Sequence, residues 1–137
     1  MSVNKFNYGM ETVVKGGSLE AVIERVKDAL KREGFGVLSE IDVAKTLKEK
    51  IGVDVPSKVI LGACNPRFAH EALEVEPNLA LLLPCNVVVT ATSDQRFSVS
   101  AVDARAMLAV VENPALDAVA LEVNERFARV LDAVAAP

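Results

Sequence analysis

The sequence predicts an α+β domain, and three observations carry that reading. Strands and amphipathic helices alternate through the first half of the chain. That rhythm then breaks at a hairpin, with strands at 87–92 and 97–102 around a polar Ser93-Asp94-Gln95 turn. The last and longest segment is a helix with one apolar face. The expected order is β-α-β-α-β-α-β-β-α-α, with a mixed or mostly antiparallel sheet of four to five strands packed against helices. A length of 137 residues fits one domain, 1–137.

Each element has a local cause. Up to Lys15 the opening residues alternate, with Met10, Thr12 and Val14 on one side and Glu11, Val13 and Lys15 on the other, as in a half-buried strand. Gly16 and Gly17 interrupt it, Ser18 caps a helix with Leu19, Val22, Ile23, Val26 and Leu30 on one stripe, and Gly34 stops it. Residues 35–41 read as a second strand. Asp42 caps a short helix expected to turn Val43, Leu47 and Ile51 inward, closed by Gly52. The run 59–63 is apolar without alternation, which marks a central strand covered on both faces. Asn65-Pro66 opens a third helix, Pro77 starts a further turn or two, and Pro84 halts it. After the hairpin Asp103 caps a short helix. Asn113-Pro114 introduces the last helix, whose stripe runs from Leu116 through Val123 and Phe127 to Val134.

Composition excludes more than it identifies. The formal net charge is −4, with fifteen basic residues dispersed along the chain, so the phosphate neutralisation that drives nucleic-acid binding is missing. Aromatics make up 4% of residues and Trp is absent, which leaves little material for stacking bases. No apolar stretch approaches the ~20 residues of a membrane span. The first residues lack the basic start and apolar run of a signal peptide. A cytoplasmic protein is the expectation, and there Cys64 and Cys85 are thiols rather than a structural disulfide.

Three stretches resemble a known family. They are Gly34-Phe35-Gly36-Val37-Leu38-Ser39-Glu40-Ile41-Asp42-Val43 continuing to Lys50, then Ile60-Leu61-Gly62-Ala63-Cys64-Asn65-Pro66 with Ala69 and Ala72-Leu73, then Leu81-Leu82-Leu83-Pro84-Cys85-Asn86-Val87-Val88-Val89. Their order and gaps are similar to those of the bacterial and archaeal family called domain of unknown function 302. The resemblance implies a small stand-alone α+β domain. It brings no catalytic residues with it.

The candidate site rests on a repeated pair, Cys64-Asn65 and Cys85-Asn86. Two short helical segments between the pairs can carry the chain out and back, which would set both pairs at one sheet edge. Cys64 precedes a helix N-terminus, where the dipole favours a thiolate. The plainer reading makes each cysteine a small buried hydrophobe and Asn65 a helix cap. His70, the sole histidine, shares the polar side of its helix with Arg67, Glu71 and Glu74, so neither a hydrolytic triad nor a zinc template is supported. Gly16-Gly17-Ser18 matches no phosphate-loop pattern, and no cofactor motif is present. Glu40 beside Asp42 suggests paired carboxylates, but Asp42 is engaged as a cap.

Three functions compete. One is a binding domain holding a small ligand or partner at Cys64, Asn65, Cys85 and Asn86. Another is a thiol-dependent enzyme or redox sensor using Cys64, with Cys85 resolving it. The third is a purely structural dimeric interaction protein. A homodimer is expected if the helices cover only one face of the sheet, because strands 59–63 and 87–89 are apolar on both faces and the centre of the bare face would need a second copy.

Overall fold

The structure is a computed structural model that describes residues 3–93 and 95–136. Six strands form one antiparallel sheet: β1 (Asn4–Phe6), β2 (Gly9–Lys15), β3 (Gly36–Asp42), β4 (Lys58–Cys64), β5 (Cys85–Ala91) and β6 (Arg96–Val102). Their spatial order is β1-β2-β6-β5-β4-β3. The helices are α1 (Leu19–Arg32), α2 (Val43–Ile51), α3 (Pro66–Val75), α4 (Ala104–Ala109) and α5 (Asp117–Ala135), with short 3-10 turns at Pro77–Leu82 and Pro114–Leu116.

Alternation along the strands divides the sheet into two unlike faces. Met10, Thr12 and Val14 of β2, Phe97, Val99 and Ala101 of β6, Val87 and Val89 of β5, and Val59, Leu61 and Ala63 of β4 are all buried. Their burial partners are α1 and α5, which lie side by side and supply Val22, Val26, Leu30, Phe127, Leu131 and Val134. Phe127 is fully buried, with its ring 4.9 Å from that of Phe35. Polar clamps tie the two helices at both ends. Arg126 Nη1 donates to the Glu33 carbonyl at 2.8 Å, Arg129 reaches the Glu33 carboxylate at 3.0 Å, and Arg25 donates to the Val134 carbonyl.

Side-chain caps fix where α1, α2, α3 and α4 start. Ser18 Oγ accepts from Ala21 N, Asp42 Oδ1 from Lys45 N, Asn65 Oδ1 from Phe68 N, and Asp103 Oδ1 from Arg105 N and Ala106 N. Asp103 also accepts from Asn124 of α5. Burial alone would raise its pKa, but these hydrogen bonds and nearby Lys5 hold it below the ordinary value.

Two expectations need correction. The sheet has six strands rather than four or five, because the opening residues form a hairpin, β1–β2, instead of one strand. The stripe Val43, Leu47 and Ile51 does not enter the core: α2 has no buried residue, and Ile51 is 67% exposed. The reason is position. α2 follows the edge strand β3 and packs chiefly against β4, at the edge of the sheet. Of the polar hairpin turn, Asp94 lies outside the described residues.

Candidate functional site

The β4–β5 ladder places the two Cys-Asn pairs. Ala63 stands opposite Cys85 and Gly62 opposite Asn86, so β4 ends where β5 begins. Between them the chain runs out through α3 and returns through the 3-10 turn to a cis Leu83–Pro84 bond. Cys64 and Cys85 therefore lie at the same end of the sheet.

Period-two alternation then separates the members. Cys85 shares the helix-covered face with Ala63, whereas Asn86 lies on the uncovered face with Gly62. Cys64, Asn65 and Cys85 line one apolar cavity of about 40 Å³, walled also by Phe35, Phe68, Leu83, Met107 and Val123. That volume suits a water or two, not a metabolite. Asn86 lines a different space, a groove of about 270 Å³ with Phe6, Tyr8, Gly9, Val88, Ser100 and Val102.

The chemistry of the cavity is quiet. Both cysteines are free thiols. Burial pushes the Cys85 thiol up to about 11, and the charge of Cys64 beside it adds to the rise. No acid, base or histidine lines the cavity among the described residues. His70 is on the outer side of α3, 3.6 Å from Glu74. Asn65 is buried and committed: its Oδ1 accepts from Phe68 N at 3.3 Å, and its Nδ2 lies over Gly34. Arg126 passes 5.0 Å from the centre of the Phe68 ring and closes this corner from the α5 side. Glu40, the other carboxylate weighed from sequence, pairs with Lys27 of α1 at 2.8 Å.

The groove was not anticipated. The β1–β2 hairpin builds it by folding Phe6 over Gly9, where a Cβ would stand 2.5 Å from the ring. Phe6 and Tyr8 meet edge to face at 5.0 Å. Among the described residues no charged side chain lines the groove, while the Asn86 amide, the Ser100 hydroxyl and the Tyr8 phenol supply polar atoms. One sequence signal existed: a glycine inside a strand pattern, Gly9, marks a close approach by another group.

No helix among the described residues is long and apolar enough to cross a membrane. No curated protein matches the chain. Among solved structures it is similar to an uncharacterised conserved protein, DUF302, from Bacillus stearothermophilus. The two are 30% identical, with a TM-score of 0.84 over 91% of this chain and 96% of that one. The sequence profile described as "Domain of unknown function DUF302" matches residues 10–134. The chain therefore belongs to the DUF302 family, whose function is uncharacterised.

Proposed function

We propose that this protein is a cytoplasmic, homodimeric small-molecule-binding domain, with its ligand held on the Asn86 side of the Cys-Asn corner. The groove carries this reading. It has about 270 Å³ of space, near the lower end of ligand pockets, with aromatic and aliphatic walls and a few polar groups. Asn86 offers both a donor and an acceptor there. The absence of charged lining among the described residues favours a neutral, flat ligand with an amide-like edge. Cys64, Asn65 and Cys85 then act from behind, by shaping the end of β4 and β5. Two free thiols at adjacent strand ends fit a reducing compartment.

The thiol-enzyme reading is the weaker one. A buried Cys85 with a raised pKa is a poor resolving thiol, and the cavity offers Cys64 no proton acceptor.

A library of neutral heteroaromatic fragments, screened by protein-observed NMR, tests the proposal. Binders should shift the amide signals of Tyr8, Asn86 and Ser100. Asn86→Leu and Tyr8→Ala should each weaken them at least tenfold, and Cys85→Ala should not. Hits that map instead to Cys64 and Phe68, and that survive Asn86→Leu, would sink it.

A further inference from the structure

The uncovered face of the sheet has a pattern of its own. Along it lie Val13 of β2, Val102 of β6, Val88 of β5, Ile60 of β4 and Ile41 of β3, and between them the small residues Ser98, Ser100, Thr90, Gly62 and Ser39. Val13 is 54% exposed and Ile41 48%. Both flanks also end in apolar side chains. Tyr8 at the β1–β2 turn and Leu38 at the irregular register of β3 are each 70% exposed. Charges keep to the margins. Lys15 and Arg96 sit side by side at one end, with Glu11 on the β2 flank and Lys58 on the β4 flank.

The strand order β1-β2-β6-β5-β4-β3 has its centre between β6 and β5. A two-fold axis there, running along the strands, sets β6 over β5, β2 over β4 and β1 over β3. Such a packing places Tyr8 of each copy towards Leu38 and Ile41 of the other. It sets Glu11 opposite Ile60, two residues along the strand from Lys58 and within reach of that long side chain, and leaves Lys15 and Arg96 on the rim.

Size agrees. Five seven-residue strands, at four spacings of ~4.8 Å and rising ~3.4 Å per residue, give about 19 by 24 Å, and the three-residue β1 adds a short fifth spacing. With side-chain relief, that is on the order of the ~600 Å² per partner at the lower end of specific interfaces. We propose that the occupant of this face is a second copy of the same chain, packed sheet to sheet about that axis, so that the groove beside Asn86 is enclosed between the two copies and its ligand is held there. This rests on the homodimer part of the function proposed above and assigns its surface.

Sedimentation equilibrium on the full chain, from about 5 to 500 μM, reads the outcome. The wild type should show twice the chain mass. Val13→Lys and Ile60→Lys should each weaken association at least tenfold, and Val110→Lys, on the far side at α4, should leave it unchanged. Glu11→Lys and Lys58→Glu should each weaken the dimer, and combining them should restore it. Val13 is exposed, so its variant should still fold with a cooperative melting transition and answer even if Ile60→Lys fails to fold. A dimer that ignores Val13→Lys but yields to Val110→Lys overturns the surface and leaves the homodimer standing. A monomer at 500 μM overturns both.

Discussion

Gly34 joins the end of α1 to the candidate site, and replacing it with alanine perturbs both. Its φ is +86°, in the left-handed region, where a Cβ costs ~1–2 kcal/mol. That Cβ would also stand 2.9 Å from Asn65 Nδ2, too close to stay. Asn65 is buried and already holds Phe68 N at 3.3 Å, so a displaced amide loses its cap, worth ~1 kcal/mol. Alanine stiffens the unfolded chain and returns ~0.4–1 kcal/mol. The net destabilisation is about 2 kcal/mol. Urea titration with linear extrapolation measures it. The sharper test is a cycle with Asn65→Ala, which alone should cost ~1 kcal/mol. With that amide gone, Gly34→Ala should cost only about 1 kcal/mol more, which makes the coupling about 1 kcal/mol. Costs that simply add, to within ~0.5 kcal/mol, would show that Gly34 and Asn65 do not constrain each other.

Other outcomes follow from the same packing. Phe127→Ala should cost ~3–5 kcal/mol in urea melts, because its ring is fully buried against Phe35. A loss under one kcal/mol would contradict the core assignment. Gly62→Ala should cost ~1–3 kcal/mol, because its Cβ would fall inside Ser39 and 2.7 Å from Pro84 Cγ. Ser39→Gly should recover part of that cost. Cys85 gives a pH signature. Its folded pKa of about 11 lies above the ordinary 9.0, so the folded chain keeps the proton that the unfolded chain releases first. Its contribution is whole below pH 9 and fades as pH rises towards 11, by ~2–3 kcal/mol. Titrating stability of the wild type against Cys85→Ala isolates that loss from lysine titration, and parallel curves would refute it.

What was legible in the sequence was mostly local chemistry. Ser18, Asp42, Asn65 and Asp103 cap as read, because a cap depends on a few consecutive residues. The stripe on α5 was legible because nineteen residues repeat one apolar face. The β1 strand was not, because its three exposed residues carry no alternation. For α2 the period gave the orientation of the stripe but not its depth, which depends on what lies opposite. At the site, the out-and-back path between the Cys-Asn pairs could be foreseen from Pro66, Pro77 and Pro84. Consecutive strand residues point to opposite faces, so Asn86 had to part from Cys85 once both belonged to β5. Only the hairpin that walls the groove required the tertiary fold.

The strand order also bears on how the chain assembles. Glu11 of β2 meets Ser98 of β6 at a sequence separation of 87 residues. The run from β3 to β6 pairs each strand with the next in sequence, so it can zip up with short closures. β2 cannot join until β6 exists, and α5, which covers β2, is made later still. On the ribosome the first long strand thus waits the longest, with Met10, Thr12 and Val14 in water. The hairpin with β1 gives it one paired edge in the meantime. Its early partner is the shortest strand of the sheet, and its lasting partner is the last strand synthesised.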